Sequence, residues 1–290
     1  MAFVPAIARA QACCAASAAL TPGRLAVHED ALIGLQARAS VLTGSYDEGG
    51  AYASSPSHTS ELDFEQDLIG TARVLPRAQL AALIPMVETR RQQGAITGSG
   101  IGLGDVNVGA RYDFVLAGER VAIPGIALLL GVTLPTGRPP ERATHAHAAD
   151  ATGIGATQGT IGVAFERSFG AVLFNASAFV SKRASRTVGD VRSTLGPQLT
   201  ALLAAAYTFD SEAALALVAT YSLEGNAVID DREIAGSGRR STTIALAGLL
   251  PLSATMRLQG SVFTSPPLPY LGRNQPATSG LTLTVIRSWS

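Results

Sequence analysis

The stretch DVNVGARYDFVL (residues 105–116) sorts two kinds of side chain onto two sides of one extended chain. Val106, Val108, Ala110, Tyr112, Phe114 and Leu116 fall on one face, and Asp105, Asn107, Gly109, Arg111 and Asp113 on the other. A period of two is the mark of a β-strand, whose successive side chains point to opposite faces of the sheet. One strand leaves the direction of those faces open. A soluble sandwich turns the apolar face inward, whereas a transmembrane barrel turns it outward to lipid.

The same alternation recurs along the chain in segments of about ten residues. Residues 29–43 set Ile33, Leu35 and Val41 against Gln36, Arg38 and Ser40. Residues 61–74 set Leu62, Phe64 and Leu68 against Asp63, Glu65, Asp67 and Arg73. Further segments at 79–90, 121–134, 159–168, 171–182, 198–209, 212–224, 241–252, 255–264 and 279–289 bring the expected total to about twelve. Connections near Pro76-Arg77, Ala117-Gly118, 168–170, Asp210-Ser211 and Ser253-Ala254 are short. Those at 46–59, 91–103, 136–157, 183–196, 225–239 and 265–277 are long and rich in Gly, Ser, Pro and charge. Short and long alternate throughout. An even-stranded outer-membrane barrel requires this alternation, with short periplasmic turns and long external loops. A Greek-key sandwich gives no reason for it. The expected fold is therefore all-β, a transmembrane antiparallel up-and-down β-barrel of about twelve strands.

Composition agrees. Charged residues make up 15% of the 290 and apolar ones 47%, where a soluble domain carries about 25% charged residues. A spanning helix needs about 20 consecutive apolar residues, and the longest run, IPGIALLLGVTLP (123–135), is fenced by Pro124 and Pro135. A closed barrel is the other structure that satisfies every backbone polar group inside a bilayer. The 22 basic and 22 acidic side chains balance, which argues against nucleic acid as a partner.

Residues 1–23 read as a remnant signal peptide or a flexible N-terminal segment, and 24–290 as a single transmembrane barrel domain. AFVPAIA (2–8) is apolar, and A-R-A or A-Q-A follows as a cleavage site, but a basic start is missing. The two cysteines, Cys13 and Cys14, are adjacent and have no metal-ligand spacing. Phe114, Phe169, Phe209 and Trp289 fall at short-turn ends, where barrels carry an aromatic girdle. The closing strand SGLTLTVIRSWS (279–290) has the terminal aromatic that barrel-assembly machinery reads, although Ser290 follows it and Arg287 lies on the apolar face.

LAALIPMVETR (80–90), GIGLGDVNVGARYDF (100–114) and ALLLGVTLPTGR (127–138) follow one another in order. This stretch resembles the outer-membrane barrel family named after the meta-pathway of phenol degradation, whose members are labelled transporters. The shared features are a strand-borne proline (Pro85), a G-x-G-D strand start (Gly102 to Asp105) and a PTG at a strand end (Pro135 to Gly137). The resemblance implies an outer-membrane location and uptake of hydrophobic or aromatic compounds, and it carries no catalytic or binding residues over. Physically, Gly102 and Gly104 would let the chain turn out of a long loop. Pro85 lacks an N–H and should mark a bulge or kink.

The expected function is a channel or transporter for small molecules, with membrane lipid and a small-molecule solute as partners. The pore-lining candidates are Arg38, Asp63, Glu65, Asp67, Arg73, Asp105, Asn107, Arg111 and Asp113, the charged and polar residues of the inward face. They would either line a pore or lock into a salt-bridged plug, with Arg38 and Arg73 neutralising the Asp63–Glu65–Asp67 row. A structural or adhesive barrel without transport is the first alternative, a lipid-modifying enzyme a more distant one, and a soluble periplasmic all-β protein another. No catalytic residue, metal or cofactor is expected. The G-x-G at 102–104 is followed by no helix and no Lys-Ser/Thr pair. His145 and His147 sit two apart in the 136–157 loop with Asp150 nearby but without a third strong ligand, which reads as an external solvated loop. His28 and His58 lie outside the strands, so no histidine stands beside a nucleophile at the membrane edge.

Overall fold

The computed structural model describes residues 23–120, 122–188 and 191–290. The expectation for residues 1–22, with both cysteines, lies outside them. Twelve long strands form the barrel: β1 (Ala31–Tyr46), β2 (Thr59–Leu75), β3 (Ala78–Gln93), β4 (Val106–Val115), β5 (Gly125–Leu134), β6 (Gln158–Phe169), β7 (Val172–Arg183), β8 (Gln198–Thr208), β9 (Ala214–Glu224), β10 (Arg239–Pro251), β11 (Met256–Thr264) and β12 (Gln275–Trp289). Each pairs antiparallel with its neighbour in sequence. β12 returns to pair with β1 from Ala31↔Trp289 to Tyr46↔Gln275, which closes the sheet. Closure leaves no strand edge to be satisfied by lipid.

The faces resolve as a membrane barrel. Leu35, Leu203, Leu217 and Val262 stand on the outside, 67%, 62%, 58% and 59% exposed, an arrangement that a water-soluble sandwich would have to hide. Gln36, Asp67, Asn175, Gln259 and Thr284 occupy alternate positions facing inward. The expected girdle is present at the short-turn end, where Tyr112–Phe114, Phe169–Phe174 and Tyr207–Phe209 form edge-to-face pairs with centroids 5.1, 6.0 and 5.0 Å apart. Arg287 is on the outer face, as expected, with its guanidinium 5.4 Å from the Trp289 ring.

Several connections differ from the sequence reading. Residues 91–103 are not a loop. β3 runs on to Gln93, turns through Gly94 (φ 61°), and returns as a strand, Ile96–Leu103, paired with the upper half of β3. The sharp turn is therefore at Gly94, not at Gly102 or Gly104. Between the pairs Met86↔Leu103 and Leu83↔Asn107 one extra residue bulges out, the irregularity expected at Pro85. Gly104 lies against the proline ring. A Cβ there would stand 2.8 Å from Pro85 Cγ, so the G-x-G-D motif serves close approach. The connection expected at 117–118 is also longer, because β5 begins at Gly125, after Pro124, whose missing N–H ends the ladder.

Candidate functional site

The inward face encloses a lumen built in three layers. At the long-loop end, residues 136–157 fold back onto the barrel instead of extending into solvent as expected. Their seat is the inward face of the Ile96–Leu103 strand, where Gly98, Gly100 and Gly102 present no side chains. A Cβ at Gly98 would collide with the Ala146 carbonyl, and one at Gly100 with Asp150. Asp105 holds both ends of this loop, accepting the Gly137 amide at 2.9 Å and the Ile154 amide at 2.6 Å. Asp150 organises the tip. It is buried, and it accepts the amides of Thr144 and His145 and the Arg138 guanidinium. The His145 amide above all, followed by Thr144 and Arg138, holds its carboxyl well below the usual carboxylate range against the opposing effect of burial. Thr89 Oγ1 donates to the Ala149 carbonyl, Arg91 to that of His147 at 2.9 Å, and His145 Nδ1 meets Ser99 O at 2.5 Å. Among the described residues no group of three metal-capable side chains occurs.

Below the loop lie two cavities that share Arg38. One, of about 260 Å³, is lined by Asp63, Glu65, Thr89 and Arg91 with Ala151 and Thr152 of the folded loop. The other, of about 240 Å³, has Thr220, Thr243, Ser261 and Thr282 on its polar side and Val218, Ala245, Ala247 and Phe263 on its apolar side. Arg38 lies 3.7 Å from Glu65 and stacks 4.8 Å over the Phe263 ring. Asp67 is buried beneath, accepting Gln36 Nε2 at 2.6 Å. Asp63 and Asp67 each keep one buried carboxylate oxygen without a hydrogen-bond partner among the described residues.

The short-turn end is filled by the chain itself. Residues 23–30 enter the lumen, with Leu25 packed among Leu32, Ile69 and Ile286. Leu25 N donates to Gln79 Oε1 at 3.0 Å and Thr71 Oγ1 to the Gly23 carbonyl at 2.9 Å. Arg24 reaches Glu166, which Arg111 also contacts at 3.1 Å while holding Asp113 at 2.8 Å. Glu29 pairs with Arg257; burial alone would raise its carboxyl, and the guanidinium brings it below its ordinary range. A cavity of only about 30 Å³ remains between this plug and Arg111.

The nine candidates thus divide among different tasks. Arg38, Asp63 and Glu65 border the central cavities, and Asp67 sits below them. Asn107 faces inward and donates to Thr133 Oγ1 at 2.9 Å. Arg111 and Asp113 belong to the buried ion cluster. Arg73 does not neutralise the acidic row, because its guanidinium is spent on the carbonyls of Ala26 and Glu29. Asp105 is spent on the loop. The candidate set left out Glu61, which begins the same polar row and is held by Arg91 at 3.0 Å, and Glu166, the centre of the plug.

Comparison with known proteins follows this geometry. The family described as "Putative MetA-pathway of phenol degradation" matches residues 68–283. The COG4313 outer membrane channel from Pseudomonas putida F1 superposes with a TM-score of 0.73 at 18% identity, over 90% of this chain and 98% of that one. The translocator domain of the autotransporter NalP from Neisseria meningitidis reaches a TM-score of 0.50 at 12% identity, over 95% and 92%. The AIDA-I transport unit from Escherichia coli reaches 0.50 at 8%, over 97% and 99%. No curated protein sequence matches. The fold is that of outer-membrane barrels.

Proposed function

The chain belongs to the phenol-degradation MetA-pathway family, and on that premise we propose that it is a narrow channel of the bacterial outer membrane for small molecules, among them hydrophobic or aromatic compounds of single-ring size. The observation that carries this reading is the pair of cavities meeting at Arg38, one lined by charges of both signs and one half apolar. Both are smaller than the ~300–1,000 Å³ pockets that take drug-sized ligands. The apolar side of the second cavity suits a compact ring, and its hydroxyls suit one or two polar substituents. With Arg91 held by Glu61 at 3.0 Å, Asp63 and Glu65 outnumber Arg38 in the first cavity and favour cations over anions. The COG4313 neighbour, described as an outer membrane channel, supports the same reading. β12, ending in the outward-facing Trp289, would be the strand read by barrel-assembly machinery.

A barrel without transport is the alternative favoured by the chain segments at both ends of the lumen. Uptake of a radiolabelled single-ring aromatic by porin-deficient cells, with and without this chain, separates the two. Faster uptake with the chain supports the channel, and equal uptake leaves the structural barrel.

A further inference from the structure

The outer face carries a site that the lumen does not explain. Val180, Leu199 and Leu223 are paired neighbours on β7, β8 and β9, all pointing to lipid. The next member of this row, on β10, is Arg240, which pairs with Leu223. Arg240 and Arg273 bridge each other through their backbones, with N···O distances of 3.0 and 2.9 Å. An apolar cavity of about 390 Å³ lies here, walled by Val180, Leu199 and Leu223 and roofed by Pro197, Arg239 and Arg273.

Arg239 and Arg273 thus border an apolar groove, and Arg240 continues its outward row beside Leu223. The acidic groups nearby do not balance them. Glu224, in the groove's lining, is held by Arg183 at 2.7 Å. Glu48 approaches Arg273 only to 3.6 Å and is largely exposed. Arg240 gives one nitrogen to the Tyr270 carbonyl at 3.2 Å. The buried Nε atoms of Arg240 and Arg273 have no hydrogen-bond partner among the described residues. A buried charged donor without an acceptor is costly, and the planar guanidinium fork matches a phosphate.

The level of the groove in the membrane identifies the occupant. From Leu215 to Leu223 the outward row of β9 covers roughly 27 Å along the strand, or about 20 Å along the membrane normal at a barrel tilt of about 40°. Leu223 thus stands near the outer edge of the apolar band, and the arginines stand at headgroup height. We propose that this groove binds a phosphorylated acyl lipid of the outer leaflet, with an acyl chain along Val180, Leu199 and Leu223 and a phosphate between Arg240 and Arg273.

Native mass spectrometry of the detergent-purified full chain, in EDTA to remove bridging metals, tests this. The probes are diphosphorylated hexa-acyl lipid A, the same lipid with its phosphates removed, and inorganic phosphate. The intact lipid should be retained about tenfold or more over the dephosphorylated one, and the Arg240→Gln/Arg273→Gln variant should lose a similar factor, as expected for charged hydrogen bonds. Leu199→Asn should weaken both lipids alike. Equal retention of the two lipids, or equal retention by variant and parent, would overturn the proposal. Displacement of the lipid by inorganic phosphate at millimolar concentration would overturn it too, in favour of a free-anion site. If the double variant does not reach the folded, heat-modifiable form, Arg273→Gln, outside the strands, carries the same comparison.

Discussion

Arg38 and Glu65 face each other across the β1–β2 pair, yet their charged atoms stand 3.7 Å apart. Both side chains remain partly exposed to the lumen, and Arg38 divides its contacts between Glu65 and the Phe263 ring. So loose a pair contributes little to stability. Its effect is on the field of the lumen, since it sets one positive charge against the acidic row where the two cavities meet.

Arg38→Ala should therefore raise the cation preference of the pore while leaving the fold intact. Arg73→Ala should act differently, by loosening residues 23–30, whose carbonyls it holds. Reversal potentials in a salt gradient distinguish the two. Equal shifts from both variants would contradict the separation of roles.

Val108 and Asn107 are adjacent but face lipid and lumen respectively. Val108→Arg should cost roughly 2–4 kcal/mol if it lies near the bilayer midplane, and Asn107→Arg far less. Urea unfolding of the refolded barrel measures both, and the reverse order would contradict the assigned faces.

The faces were legible in the sequence because a period of two needs only neighbouring residues, and the alternation of loop lengths gave their direction. What was not legible depends on residues distant in the chain. The glycines at 98, 100 and 102 look like loop punctuation until the 136–157 loop is seen lying on them. Arg24 and Glu166 are 142 residues apart, and nothing local marks Glu166 as the centre of a plug. Arg73 and Asp105 had the composition of pore residues, but their partners are backbone groups of segments that carry no strand periodicity.

Glu166 is almost fully buried between Arg24 and Arg111. Glu166→Ala should destabilise the barrel by about 3–5 kcal/mol, the usual cost of removing one partner from a buried ionic cluster. A loss below about 1 kcal/mol in urea unfolding would show that the cluster is solvated and not a plug.

The Asp150 clamp has a defined pH dependence. Its carboxyl is held below its ordinary range in the folded loop, so its contribution is fully present above the unfolded value and is lost only as pH falls through the lower, folded value. A spin label at Ala148→Cys should stay immobile from about pH 8 to about pH 5, above the ordinary carboxylate range, and gain mobility only in strong acid. Asp105→Ala should mobilise the label at every pH. Mobilisation of the parent protein near neutral pH would contradict the clamp.

The most direct test is a planar-bilayer recording of the refolded protein, with heat-modifiable migration confirming the fold in each sample. The parent chain should show small unitary currents that prefer cations, and Asp63→Asn/Glu65→Gln should reduce that preference, because those carboxylates border the cavity beneath the folded loop. Correctly folded protein that passes no current would contradict the channel.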